Sequence, residues 1–258
     1  LAVGFCLFYG TQSVLILIAL MSLFAIDEIM ARFLDIDRIG LGYFFSQLLL
    51  LFLLALVFYF DPYKSLQTIF INAALILNLF LLVYLFGLKV ETSVLLKLTR
   101  LVPPLGSLLI TLPMVSLVTV LKLEGWRHLI IVLLIVNFSM DTGAWFFGRR
   151  FGRRKLWPLI SPKKTVEGFF GGVVTSALLG SLIWYFFFDF LSLYSLGVFA
   201  FLGAMSQVGD LVQSKIKRQF GVKDSSQIIP GHGGVYDRID SLLFLSPFYA
   251  WIVNTFYF

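Results

Sequence analysis

Long apolar segments run along the whole chain and restrict its fold more than any other feature. A helix that crosses a bilayer needs about 20 apolar residues, and candidates lie at 1–10, 13–31, 41–60, 66–88, 103–122, 128–147, 168–188, 193–213 and 241–258. Apolar residues fill 59% of the 258 positions and charged residues 13%, against about 45–50% and about 25% in soluble domains. The sequence therefore predicts an all-α, polytopic integral membrane protein with about nine transmembrane helices, the first of them incomplete.

Two polar segments, 148–167 and 214–240, interrupt the apolar pattern. The first holds seven cations and one acid, which are Arg149, Arg150, Arg153, Arg154, Lys155, Lys163, Lys164 and Glu167. Two predicted spans separate the segments, so both lie on one side of the membrane, and the excess of cations places that side in the cytoplasm. The turn near 189–195 carries no cation, as expected for the opposite side. Nine spans would put the N-terminus inside and the C-terminus outside.

One face of the helix that contains the span 193–213 carries four polar side chains. Asp210, Ser214, Lys217 and Arg218 are spaced i, i+4, i+7 and i+8, which places them on one helical stripe. A carboxylate, a hydroxyl and two cations suit a complex of a metal ion with a phosphate. The alternative is an ordinary interfacial helix end, in which the cations snorkel to water and one pairs with the aspartate.

A glycine-rich loop at 230–234, which contains His232, precedes the last apolar span. Backbone N–H groups of such loops can cradle anions, although a plain tight turn has the same composition. Asp237 and Asp240 follow at i and i+3, which puts them on one face of the helix start. Their carboxylates suit Mg²⁺, and the alternative is that they cap the helix N-terminus.

A small, polar stripe also crosses the apolar helix 128–147. Its members are Asn137, Asp141, Ala144 and Gly148. An acid inside the membrane is a functional candidate by default, whereas helix packing through small residues is the alternative. Downstream, Pro162 breaks the helix, and the donors that follow it are Lys163, Lys164 and Thr165. For the two lysines, a topology signal is the alternative interpretation.

Several other kinds of site are excluded by the sequence. The single cysteine, Cys6, permits no intramolecular disulfide, and with His128 and His232 it gives no plausible zinc ligand set. The chain has no GxxxxGK[ST] phosphate loop, no GxSxG nucleophile turn and no dinucleotide fingerprint. The basic segments are short and lie at the membrane, so we expect no nucleic-acid partner.

Taken together, the C-terminal motifs resemble the membrane phosphatidate cytidylyltransferases, or CDP-diacylglycerol synthases. The residues that match this family's signature are Ser214, Lys217-Arg218, Lys223-Asp224, Pro230, His232-Gly233-Gly234 and Asp237-Arg238-Ile239-Asp240. The segments 141–144 and 161–168 are similar to further family motifs. The resemblance covers about residues 137–241, and the first 130 residues show only a compatible apolar pattern.

The resemblance implies that CTP and phosphatidic acid react to give CDP-diacylglycerol and pyrophosphate with the help of Mg²⁺, a second metal ion being left open. The lipid phosphate is already an anionic nucleophile, so repulsion between two polyanions is the main obstacle. Metal ions and Lys or Arg side chains relieve that repulsion. Because the lipid tails stay in the bilayer and CTP arrives from the cytoplasm, we expect the active site at the cytoplasmic boundary.

On this basis each motif residue receives an expected role. The expected metal ligands are Asp210, Asp237, Asp141 and Asp240. The expected catalytic residues are Asp210, Ser214, Lys217, Asp237 and His232, with no proton transfer assigned to the histidine. The expected substrate-binding residues are Lys163, Lys164, Thr165, Arg218, Lys223, Gly233, Gly234 and Arg238.

We divide the chain into a transmembrane scaffold at 1–127, which could carry homodimer contacts, and a catalytic region at 128–258, and expect both in a bacterial inner membrane. One alternative is a related CTP-dependent enzyme that acts on a polyprenol or archaeal lipid. Another is an ion-coupled anion transporter, which would place polar residues near mid-membrane in both halves. Here they concentrate at one face of the C-terminal half, which favours an enzyme.

Overall fold

The computed structural model describes residues 2–61, 65–87, 94–189, 192–226 and 233–256. Within these ranges the chain forms ten α-helices and one β-hairpin. In chain order the elements are α1 (Ala2–Tyr9), α2 (Thr11–Asp27, continued by a π-helical turn at Glu28–Phe33), α3 (Leu41–Tyr59), α4 (Ser65–Gly87), α5 (Val94–Leu101), α6 (Pro103–Val120), α7 (Trp126–Phe151), β1 (Lys155–Trp157), β2 (Ser161–Thr165), α8 (Val166–Phe188), α9 (Leu193–Gln219) and α10 (Tyr236–Phe256).

Eight of the described helices are long and apolar enough to cross a bilayer, which confirms an all-α, polytopic membrane protein. The remaining predicted span, 1–10, corresponds to the eight-residue helix α1. At this length it rises only about 12 Å, too little for a hydrocarbon core of about 30 Å. Two predicted boundaries also differ, because α9 continues to Gln219 and α10 begins at Tyr236. Charged side chains at these two helix ends pair with each other, so the helices extend beyond the apolar runs.

Helix α6 lies at the centre of the bundle. Every residue from Pro113 to Val120 is buried, as expected for a helix that is apolar on all sides. It packs against α2, α3, α4 and α10, so the regions predicted on either side of residue 127 form one packed unit. The outer helices α3 and α4 instead expose large apolar side chains, among them Phe44, Phe52, Phe80 and Phe86.

Helices α7 and α8 pack closely through small residues. A Cβ atom on Gly168 would lie 2.7 Å from the backbone oxygen of Ala144 and 3.1 Å from the Cα atom of Gly148. Only glycine permits this approach, which is a common way for membrane helices to associate. The small stripe predicted on α7 therefore serves packing at Ala144 and Gly148, while Asn137 accepts a 2.8 Å hydrogen bond from the Ser206 hydroxyl of α9.

A short antiparallel hairpin joins α7 to α8, where the sequence predicted only a helix break at Pro162. Lys155 pairs with Thr165 and Trp157 pairs with Ser161. The Thr165 hydroxyl accepts a 3.1 Å bond from the N–H of Gly168 and so caps α8. The hairpin thereby fixes Lys163 and Lys164, which lie on β2, at one end of the bundle.

Candidate active site

A cleft of about 380 Å³ lies between α7, β2, α8 and α9. It brings together three motifs that are far apart in sequence: the acid of α7, the lysines of β2 and the polar stripe of α9. Its polar lining residues are Asp141, Arg149, Lys163, Lys164, Thr165, Gln207 and Asp210. The predicted grouping of Asp141, the lysine pair and Asp210 is therefore found in one concave site.

Asp210 has a partner on each of its two carboxylate oxygens. The Lys164 ammonium lies 2.5 Å from its Oδ2 atom, and the Ser214 hydroxyl donates a 3.1 Å hydrogen bond to its Oδ1 atom. The side chains of Lys164 and Asp210 are 18% and 29% exposed, although the Lys164 ammonium nitrogen itself is buried against the carboxylate. The i, i+4 relation predicted for Asp210 and Ser214 is confirmed.

Lys217 lies deeper than Asp210, and its side chain is only 9% exposed. Its Nζ atom lies 2.7 Å from Asp237 Oδ1 and 3.4 Å from Asp240 Oδ2. The two aspartates thus share one face of α10, as predicted from their spacing. Lys217 lies two helical turns after Asp210 on the same face of α9, so this buried ion-pair cluster adjoins the cleft.

The Asp237 carboxylate is held by further donors. Its Oδ2 atom accepts bonds from the Ser225 N–H at 2.7 Å and the Gly234 N–H at 3.0 Å, and it lies 2.9 Å from the Ser225 hydroxyl oxygen. The N–H of Gly234, which we expected to contact substrate phosphate, therefore contacts a protein carboxylate. His232 and the preceding glycine and proline lie outside the described residues.

One buried acid of the site was missed by the sequence analysis. Glu28, in the π-helical turn after α2, is 0% exposed and accepts hydrogen bonds from residues of the segment 225–236. Glu28 lies in the region 1–127, which we expected to be a transmembrane scaffold, and its hydrogen bonds connect that region to Ser225 and Tyr236. The sequence does carry a signal for Glu28, since an acid inside an apolar run is a functional candidate. The prediction above considered only Asp141 as such an acid.

The remaining predicted substrate-binding residues lie in different surroundings. Thr165 lines the cleft but also caps α8. Arg218 donates a 3.3 Å bond to the backbone oxygen of Val222 and closes the turn after α9. Lys223 and Arg238 are exposed, and within the described part of the chain neither lines the cleft. Their assignment to substrate stays a prediction.

The carboxylates differ in how well they suit a metal ion. Across the described ranges no group of three or more His, Cys, Asp or Glu side chains is arranged to hold one, so the four predicted aspartates do not form one cluster there. Asp141 and Asp210 line the same cleft, and no described side chain hydrogen-bonds to Asp141. Mg²⁺ commonly uses one or two carboxylates and completes its shell with water and phosphate. Asp141 and Asp210 fit that pattern, whereas Asp237 and Asp240 face Lys217.

A second, shallower depression adjoins the cleft. It is lined by Trp145, Phe146, Arg149, Arg150 and Phe151. Trp145 and Arg149 belong to both depressions, and the Arg149 guanidinium lies 5.4 Å from the centre of the Trp145 ring. Exposed aromatic rings beside exposed guanidinium groups are typical of a membrane–water interface. The cleft is therefore continuous with a surface suited to lipid headgroups.

Residues 1–256 match the sequence model of the cytidylyltransferase family. The chain belongs to that family. Curated relatives named phosphatidate cytidylyltransferase occur in Staphylococcus epidermidis, 48% identical over 125 residues, and in Staphylococcus saprophyticus, 49% identical over 126 residues; each alignment covers 48% of either chain. A relative of the same name from Staphylococcus haemolyticus is 50% identical over 122 residues, 46% of either chain. The matched part thus spans about half the length of these relatives.

Proposed function

We propose that this protein is a phosphatidate cytidylyltransferase, which condenses CTP with phosphatidic acid to give CDP-diacylglycerol and pyrophosphate. The observation that carries the proposal is the cleft that gathers Lys163, Lys164, Asp141 and Asp210 at the end of the helical bundle. The names of the relatives and the match to the cytidylyltransferase family support the same reaction.

The reaction is a displacement at phosphorus. An oxygen of the lipid phosphate forms a bond to the α-phosphorus of CTP, and the bond from that phosphorus to the bridging oxygen of the β-phosphate breaks. The electron pair leaves with pyrophosphate. Because the attacking oxygen is already anionic, the protein needs no covalent nucleophile, and its task is to hold two polyanions together.

The lysines and Arg149 are suited to that task. Lys163 and Lys164 on β2 and Arg149 on α7 line one cleft, so their charges can bind phosphate oxygens from several sides. Lys164 lies 2.5 Å from Asp210, and an incoming phosphate would compete with that carboxylate for the ammonium group. Ser214 holds the other Asp210 oxygen and keeps the carboxylate oriented during the exchange.

Asp141 and Asp210 would hold Mg²⁺ in this cleft. When bound, the ion would neutralise phosphate charge and stabilise the charge that develops on pyrophosphate. In the absence of substrate, Lys164 and Lys217 supply the positive charge near Asp210. A second metal ion and a homodimer both stay predictions.

The two depressions suggest separate approaches for the two substrates. The aromatic and basic surface around Trp145 and Arg149 suits a phosphatidate headgroup whose tails remain in the bilayer. CTP would reach the lysines of β2 from the aqueous side. We assign that side to the cytoplasm, because the segment 148–167 holds the largest excess of cations, and we place the protein in a bacterial inner membrane.

The proposal is tested with purified protein in detergent, CTP, Mg²⁺ and phosphatidic acid, with the lipid product and pyrophosphate both quantified. Equal amounts of CDP-diacylglycerol and pyrophosphate are expected, and Asp210→Asn should abolish both. Turnover only with a phosphorylated polyprenol or an archaeal lipid would support the related enzyme instead. Ion-dependent uptake of an anion into proteoliposomes, without CDP-lipid, would support the transporter.

A further inference from the structure

Glu28 occupies an unusual position for an acid. It begins the π-helical turn at the end of α2, within a helix long enough to span the membrane, and it is 0% exposed. Single π-helical turns within α-helices are frequently found at functional sites. A buried carboxylate is tolerated only when its oxygens are fully hydrogen-bonded or paired, so the partners of Glu28 indicate its role.

Both oxygens of Glu28 accept two hydrogen bonds each. Oε1 accepts from the Ser226 hydroxyl at 2.6 Å and from the Val235 N–H at 3.0 Å. Oε2 accepts from the Ser225 hydroxyl at 2.7 Å and from the Tyr236 N–H at 2.9 Å. The partners lie about 200 positions away in sequence, on both sides of the undescribed residues 227–232. One carboxylate thus ties residues 225–226 and 235–236 to α2.

Gly234 is explained by this contact. A Cβ atom at this position would overlap both Glu28 oxygens and the Ser225 hydroxyl. The glycine that resembles part of a phosphate cradle is therefore required for the approach of a protein carboxylate. The N–H groups of residues 234, 235 and 236 all bond to Asp237 or Glu28.

The contacts of Glu28 continue to the ion-pair cluster beside the cleft. The Ser225 hydroxyl also lies 2.9 Å from Asp237 Oδ2, and Asp237 Oδ1 binds Lys217 at 2.7 Å. Lys217 in turn lies two helical turns along α9 from Asp210, which lines the cleft. A displacement of the segment 225–236 would therefore release Asp237 and leave Lys217 without its main partner.

We propose that Glu28 is a positioning residue for the transferase site: it holds residues 225–226 and 235–236 in place, so that Asp237 keeps its ion pair with Lys217 beside the cleft. Its effect on turnover rests on the proposed function, whereas its effect on the loop does not. A carboxylate is required, because each oxygen accepts a backbone N–H. In Glu28→Gln, the amide NH₂ would face a backbone N–H in either orientation, so donor would meet donor.

The test compares Glu28→Gln with Asp27→Asn in the full-length protein. Asp27 is the adjacent acid on α2, but it bonds to Arg38 and Tyr43 instead of the loop. Limited trypsin cleavage after Lys223, two residues before the first partner of Glu28, should become at least about tenfold faster in Glu28→Gln. Cleavage after Arg153, just before the hairpin, should keep its wild-type rate and serves as an internal control. Asp27→Asn should change neither rate.

Kinetics provide the second readout. For Glu28→Gln we expect kcat/KM for CTP to fall at least about tenfold while KM for phosphatidic acid stays within about twofold, since the lipid surface at Trp145 belongs to α7 and does not include the residues that Glu28 holds. Ser226→Ala removes one of the four hydrogen bonds that Glu28 accepts. It should show the faster cleavage and the lower kcat/KM at smaller amplitude, and it keeps the proposal testable if Glu28→Gln does not fold.

If cleavage after Lys223 keeps its wild-type rate in both Glu28→Gln and Ser226→Ala, the proposed role of Glu28 is overturned. Equal acceleration at Lys223 and Arg153 would show that Glu28 only supports the whole fold, and would overturn its positioning role. If wild-type protein makes no CDP-lipid, the proposed function fails, and the cleavage rates alone still decide whether Glu28 holds the segment 225–236.

Discussion

Asp237→Asn separates two roles for this carboxylate, metal ligand or structural partner of Lys217. The substitution keeps the size of the side chain and one acceptor oxygen. That oxygen can still accept from the backbone N–H groups of Ser225 and Gly234, now 2.7 and 3.0 Å from Oδ2. The amide NH₂ must then face the Lys217 ammonium, where Oδ1 now lies at 2.7 Å.

The magnitude follows from burial. The side chains of Lys217 and Asp237 are 9% and 11% exposed, so solvent screens their ion pair little. Removal of one partner of a buried pair costs about 3–5 kcal/mol. Asp240 remains 3.4 Å from the ammonium and compensates part of the loss, so we expect the free energy of unfolding to fall by about 2–3 kcal/mol, the range for a lost bond to a charged group.

The assay is denaturant unfolding in detergent micelles, with Asp224→Asn as the matched control. Asp224 is an exposed acid in the segment that follows α9. The same change of charge at this position should shift the free energy of unfolding by less than about 0.5 kcal/mol. The Mg²⁺ concentration for half-maximal activity should stay within about twofold of wild type, well below the roughly 10–100-fold effects that follow when a metal site loses a supporting group. Unchanged stability together with a strongly raised Mg²⁺ requirement would refute this reasoning and make Asp237 a metal ligand.

Three further predictions concern the metal, the packing and the topology. Asp141→Asn should raise the Mg²⁺ concentration for half-maximal activity at least about tenfold with little change in thermal stability; an unchanged Mg²⁺ requirement would remove Asp141 from the metal site. Gly168→Ala should destabilise the protein by about 1–3 kcal/mol through overpacking. The control Gly197→Ala, with no atom within 4 Å of the added Cβ, should be neutral or stabilising. Similar melting temperatures of the two variants would contradict the packing of α7 against α8 through Gly168. In a background without the native cysteine, Arg153→Cys and Ser192→Cys should react with an impermeant thiol reagent from opposite sides of the membrane, and labelling from one side would refute the topology.

The parts of this fold that depend on local pattern were predictable. Apolar runs of about 20 residues located the spanning helices, and helical spacing grouped Asp210 with Ser214 and Asp237 with Asp240. These relations hold within one helix, so they need no knowledge of which helices touch. For the same reason the sequence could place the acids on faces but could not identify their partners.

The unpredicted features all depend on contacts across long stretches of sequence. Lys217 pairs with Asp237 instead of Asp210, because α10 lies against the end of α9. Glu28 bonds to residues about 200 positions away, and no spacing rule connects them. The hairpin was missed because its strands have only three and five residues. Pro158 lies in the turn between the strands and Pro162 lies within β2, so the segment carries no alternating apolar pattern.

The central claim is that the cleft between α7, β2, α8 and α9 transfers the cytidylyl group of CTP to a lipid phosphate. The most direct test supplies phosphatidic acid with CTP labelled at either the α-phosphate or the γ-phosphate, and measures label in the extracted lipid. Label should enter the lipid from the α-position alone, and Asp210→Asn should lose this incorporation. Transfer from the γ-position, or no lipid label from either, would contradict the account.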